Sequence, residues 1–143
     1  MMLMIERIKI ACTKESLKDV RAFVTSTLNR FRLPETEVNL LVLAVDEICA
    51  NRIIHSNHCD GNKELEVEIS DSADGISFSI TDSGDFYDAS KQADPDMKLL
   101  IKERRKGGIG LLLVRKIMDS IEVKRKDSLT THTLYKKLKL SHA

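Results

Sequence analysis

Residues 63–84 read Lys63-Glu-Leu-Glu-Val-Glu-Ile-Ser-Asp-Ser-Ala-Asp-Gly-Ile-Ser-Phe-Ser-Ile-Thr-Asp-Ser-Gly84. Leu65, Val67 and Ile69 alternate with Glu64, Glu66 and Glu68. A period of two places the apolar set on one side of a half-buried strand and the carboxylates on the other. Asp74–Gly75 supplies hairpin-turn chemistry. Ile76, Phe78 and Ile80 then repeat the alternation. The segment predicts two strands with one apolar face, and that face needs a cover.

The flanking sequence supplies one. Residues 3–11 mix apolar and charged positions and read as a strand. Thr13 is placed to cap a helix running to about Arg32, with Leu17, Val20, Phe23, Val24 and Leu28 on one face. Pro34 suits a first helical turn, and Glu35 and Glu37 suit its positive end. That second helix runs to about Asn57 with a stripe of Val38, Leu41, Val42, Val45, Ile48 and Ile53. Asp60–Gly61–Asn62 is a turn signal.

Beyond the hairpin, Asp82 to Lys106 is polar and aperiodic, with one apolar island at Met97–Ile101. A loop of that length in a small domain is commonly a functional lid, expected here at about 85–107. After Gly110, the residues Leu111, Leu112, Val114, Ile117 and Met118 mark a helix. Ile121–Lys126 and Thr131–Leu140 read as closing strands. The expected architecture is a single α+β domain over 1–143. It is a two-layer α/β sandwich with one mixed, mostly antiparallel sheet covered on one face by helices.

Composition narrows the function classes. A net charge of +1 leaves no basic footprint for direct nucleic-acid binding. No apolar run is long enough to span a bilayer, and the charged N-terminus reads as no export signal. Three cysteines without a CxxC pair argue against a disulfide framework or a zinc ribbon. A reducing cytoplasm is the expected setting.

Three clusters could carry chemistry. Glu47 and Asn51, four apart on a helix, share a face. A carboxylate and an amide there suit magnesium, which takes few protein ligands, and a proton transfer. By spacing alone they could equally be an exposed polar pair. Asp82 stands just beyond a strand, followed by Gly84. It could accept a hydrogen bond from an exocyclic amine while the glycine lets a flat ring approach, or it could simply turn the chain. Lys106-Gly-Gly-Ile-Gly-Leu111 opens a helix, where exposed N–H groups favour an anion, behind Lys102, Arg104, Arg105 and Lys106. That cluster could equally be a hinge beside a solvated charge run. It is no P-loop, since no GK[ST] follows the glycines. His55, His58 and Cys59 lie close together but lack a fourth ligand for structural zinc.

The order of these clusters is more specific than any one of them. The segments Ala44-Val-Asp-Glu-Ile-Cys-Ala-Asn-Arg-Ile-Ile-His55, Thr81-Asp-Ser-Gly-Asp-Phe-Tyr-Asp88 and Gly107-Gly-Ile-Gly-Leu-Leu-Leu-Val-Arg-Lys-Ile-Met-Asp119 resemble the ATPase superfamily of gyrase, histidine kinases and related chaperones, with its Bergerat fold. Within it the likeness is to bacterial anti-sigma-factor serine/threonine kinases.

The resemblance implies ATP and Mg²⁺ as cofactors. It assigns Asn51 to magnesium and Glu47 to general base toward a serine hydroxyl. It assigns Asp82 to the adenine amino group, with Gly84 beside the ring. Gly108, Gly110 and Leu111 would shape the lid end, His55 and Lys106 or Arg105 would contact phosphate, and Thr133 would lie near adenine. It implies a homodimer that phosphorylates an anti-anti-sigma (antagonist) protein and holds a sigma factor. A non-catalytic ATP-binding switch that sequesters a partner is the alternative. The chain departs from the family pattern at Arg52, where a small residue is usual. It departs again at Ser56–Asn57, and at Thr131-His-Thr133, which lacks a glycine.

Overall fold

The computed structural model describes residues 4–86 and 106–141, with the backbone alone for 106–109. Strand β1 (Ile5–Ala11) leads through a 3₁₀ turn (Lys14–Ser16) into α1 (Leu17–Leu28), and α2 (Glu35–Asn51) follows. A π-helical turn, Arg52–Ser56, extends α2. The hairpin strands are β2 (Glu64–Asp71) and β3 (Gly75–Asp82). Helix α3 (Lys106–Ile117) and strands β4 (Ser120–Lys126) and β5 (Leu129–Lys137) complete the chain.

The sheet runs β1-β2-β3-β5-β4, and every pair is antiparallel. The mixed character expected from sequence is therefore absent among the described strands. Each neighbour is reached by a hairpin or by a connection that returns on the opposite heading, and neither requires a parallel crossover. β3 holds the centre, with β2 on one side and β5 on the other.

Alternation decides which side chains meet the helices. Leu65, Val67, Ile69, Ile76, Phe78, Ile80 and Leu134 are fully buried and pack with Val20, Val24, Leu28, Leu41, Val45 and Ile48 of α1 and α2. The opposite face carries Ser79, Thr81, Thr131 and Thr133, joined across β3 and β5 by hydroxyl hydrogen bonds. An apolar face of this extent supplies most of the drive to fold, and it leaves one surface of the sheet polar, as antiparallel sheets allow.

Local details differ from the expected caps. Thr13 does not cap α1; its Oγ1 pairs with Ser16 Oγ at 2.9 Å across the 3₁₀ turn. Pro34 sits just before the first residue of α2 rather than inside it, with its carbonyl accepting from Val38 at 3.1 Å.

Candidate functional site

The site is built around the C-terminal end of α2. Glu47 and Asn51 are each partly exposed, one turn apart, while Ala44, Ile48 and Cys49 beside them are buried. Desolvation first, and the Asp46 charge second, push the Glu47 carboxyl above its ordinary range. A carboxylate so placed is a stronger proton acceptor than a solvated one.

Helix α3 lies against this face. Gly110 is its fifth residue, and a Cβ added there would fall on Glu47 Oε2 and 2.9 Å from its Cδ. With Glu47 in this rotamer, only a glycine lets the α3 backbone come this close. The glycine stretch Gly107–Gly110 is thus already helical rather than a turn before the helix. Leu111 is buried and joins the core. The N-terminus of a helix favours a polyanion, and Asn51 offers an oxygen ligand of the type magnesium takes alongside water and phosphate. The chemistry of this donor set therefore fits a magnesium–triphosphate. His55 is exposed on the π turn. Arg105 and nearly all of the lid expected at 85–107 lie outside the described residues, as does the side chain of Lys106.

Asp82 has a different setting from the expected one. Its position follows from alternation: it continues the inward series Ile76, Phe78, Ile80 and is 2% exposed. Arg52, 1% exposed, grips it with two hydrogen bonds of 2.8 Å, Nε to Oδ2 and Nη2 to Oδ1. Oδ1 also accepts from Gly84 N at 2.8 Å and from Asn57 Nδ2 at 3.1 Å. Burial raises the Asp82 pKa, but the hydrogen bonds and charge of Arg52, with Gly84 and Asn57, outweigh it and hold the carboxyl below its usual value.

The π turn makes this possible. Asn57 N bonds the Arg52 carbonyl at 2.9 Å, a five-residue step that widens the helix. Both Arg52 and Ile53 point inward from it. Asn57 is a site residue that the sequence reading did not single out for a role. Its only signal was the departure from the family pattern at Ser56–Asn57.

Gly84 has a local reason to be glycine. A Cβ there would lie 2.6 Å from the Ser56 carbonyl and 2.7 Å from Asn57 Nδ2. The strand end and the π turn press together at this point, and Asp85 N bonds Ser56 O at 2.9 Å. His58 pairs with Asp85 at 2.9 Å. No group of three His, Cys, Asp or Glu capable of holding a metal occurs among the described residues.

The structure does not bring Thr133 to Asp82. Thr133 pairs with Ser79 on the outer face of the sheet. The β5 residue opposite Asp82 is Thr130, fully buried, whose Oγ1 accepts from Arg125 Nη1 at 2.9 Å. Thr133 stands three positions beyond Thr130, an odd number, so the two side chains lie on opposite faces of the sheet.

At the base end, then, the residues do not fit an exocyclic amine as they stand. Replacing the guanidinium by a neutral donor would leave a buried charge unpaired, a loss of about 3–5 kcal/mol. One amine hydrogen bond returns about 0.5–1.5 kcal/mol. The ion pair wins.

Comparison with known proteins agrees with the fold. Residues 10–136 match the histidine kinase-like ATPase domain. The chain is 25% identical over 126 residues to the serine-protein kinase RsbW of Bacillus subtilis, covering 85% of this chain and 79% of the relative. It is 26% identical over 131 residues to an anti-sigma F factor of Clostridium perfringens, covering 92% and 94%. Among solved structures, the SiaB–SiaC complex from Pseudomonas aeruginosa contains a chain matched with a TM-score of 0.62 at 13% identity, over 93% of this chain and 89% of that one. A structure of the RsbU and RsbW domains of a Mycobacterium tuberculosis protein gives 0.61 at 14% identity; this chain spans only 33% of it. The match over residues 10–136, on a sheet and helix layer of the same fold, places this chain in the histidine kinase-like ATPase domain family.

Proposed function

We propose that this chain is an ATP-dependent protein serine/threonine kinase that acts as an anti-sigma factor and phosphorylates a serine of an anti-anti-sigma antagonist protein. The observation that carries this reading is the Glu47 carboxylate, partly desolvated and pressed against α3 at Gly110, its fifth residue, with Asn51 one turn further along α2. A module that only bound nucleotide would need no base at that position.

In this reading Asn51 holds magnesium, which when bound neutralises charge on the phosphates. Glu47 accepts the proton of the incoming serine hydroxyl. The serine oxygen forms a bond to the γ-phosphorus as the bond to the β,γ-bridging oxygen breaks, and ADP leaves. The first turn of α3 orients the phosphates through backbone N–H groups, and Lys106 or Arg105 is assigned a phosphate contact. Positioning and charge neutralisation are the main demands of phosphoryl transfer. A cytoplasmic homodimer that also binds a sigma factor completes the proposal. The names of the relatives, serine-protein kinase and anti-sigma F factor, support its kinase and anti-sigma parts.

The test is transfer from γ-labelled ATP to a candidate antagonist protein in the presence of magnesium. Labelled serine on the antagonist is the expected result. Nucleotide binding without labelling of any candidate partner would favour the non-catalytic switch instead.

A further inference from the structure

The Arg52–Asp82 pair bears on which nucleotide the site accepts, and the inference rests on the nucleotide site proposed above. Four hydrogen bonds, all from protein donors, occupy the Asp82 carboxylate, and its side chain has no exposure. A carboxylate in that state cannot report whether a purine carries an amine. Two buried polar atoms on the residues holding it, Arg52 Nη1 and Asn57 Oδ1, have no partner among the described residues. Both are enclosed by the fold, so neither offers a base edge a hydrogen bond in this arrangement, and neither tells adenine from a 6-keto purine. We infer that Arg52 is a specificity-determining residue that masks Asp82, so that the site takes purine nucleoside triphosphates without selecting the 6-amino group.

The physical contrast is large. A site built to hydrogen-bond a substrate N–H rejects an analogue lacking it by about 10⁴-fold or more, because its buried acceptor is then left unpaired. Here the acceptor is already paired, and absence of the amine leaves nothing unsatisfied. Binding strength then comes from the triphosphate and the sugar, which ATP and its keto analogue share.

The experiment measures dissociation constants of the whole chain for Mg²⁺–ATP and Mg²⁺–inosine triphosphate, which differ only in the 6-substituent of the base and the proton it places on N1. The wild-type chain is expected to bind the two within fivefold; a stronger preference for ATP overturns the inference. Arg52→Ala uncovers Asp82 and is expected to favour ATP by more than fivefold. If that variant does not fold, Arg52→Gln, which removes the charge and keeps much of the bulk, carries the same expectation. Equal binding of both nucleotides by the folded variant also overturns the role of Arg52. Binding of neither nucleotide by the wild type would instead remove the nucleotide site itself, and with it the proposal built on it.

Discussion

Arg52 and Asp82, thirty positions apart in the chain, form a buried two-point ion pair that ties the end of α2 to the end of β3. No described ion pair other than this one has both side chains buried: Arg7–Glu68, Lys9–Glu66, Arg21–Asp46, Arg30–Glu6 and His58–Asp85 all lie at the surface. Surface pairs contribute about 0–1 kcal/mol each. The buried pair is the one whose disruption matters.

Arg52→Ala is expected to lower unfolding stability by about 3–5 kcal/mol, because it strands the Asp82 charge in the core. The double change Arg52→Met with Asp82→Asn removes both charges and should cost clearly less. Urea unfolding of the three proteins measures this; equal loss in the single and double variants would show that packing, not charge, is at stake. The pH dependence has a definite sign. The folded pKa of Asp82 is depressed, so its contribution is complete above the unfolded carboxylate value of about 3.9 and drains away as pH falls through the folded value. The double variant should lose less stability over that acid range.

Glu47→Gln is expected to reduce phosphotransfer by about 10²–10⁴-fold, the usual worth of a positioned base. The magnesium–ATP shift in melting temperature should persist. Because desolvation raises the Glu47 pKa, the wild-type rate should begin to fall, on acidification, above the ordinary carboxylate range. The same shift means that ionised Glu47 slightly disfavours the fold, so the variant should melt no earlier than wild type. A pH–rate profile and a melting curve read the two effects separately.

Two glycine substitutions should part company. At Gly84 an added methyl group meets the backbone carbonyl of Ser56, which cannot swing aside, and a loss of about 1–3 kcal/mol is expected. At Gly110 it meets the end of a flexible glutamate side chain. Glu47 can rotate away, and alanine gains about 1 kcal/mol of helix propensity. Gly110→Ala should therefore keep its melting temperature and lose transfer activity, because Glu47 has moved. A parallel loss of both quantities at Gly110 would count against this placement of α3.

The β4–β5 turn offers a gain. Asp127 and Ser128 have φ of 51° and 68°, as a two-residue hairpin turn with both φ values positive requires. An L-residue in that region costs about 1–2 kcal/mol, and glycine there loses about 0.5–1 kcal/mol in chain entropy. Ser128→Gly should stabilise by up to about 1 kcal/mol with activity unaffected, as thermal melting and the transfer assay can check.

Much of this was legible in the chain. The alternation in residues 64–80 dictated two strands with one apolar face, and the helical stripes dictated what covers it, since each pattern is local and repeats with the period of its element. The sequence reading left Asp82 just beyond the strand; the structure carries the alternation one step further, so that Asp82 ends β3 in line with Ile76, Phe78 and Ile80, inside. The four-residue spacing of Glu47 and Asn51 put them on one helix face. Sequence alone could not say what satisfies a carboxylate placed in a core. Its partner lies thirty residues away on a π turn, a geometry with no simple periodic signature, and it became visible only when α2 was laid on β3. The face occupied by Thr133 was equally out of reach. It depends on the register of β5 against β3, where one residue of slip inverts every side chain. Period and propensity are properties of neighbours in the chain; ion pairing and register are properties of neighbours in space. That is why the sequence determined the layers and the helix-borne Glu47–Asn51 pair, while the tertiary structure decided what Asp82, Arg52 and Gly84 are placed to do.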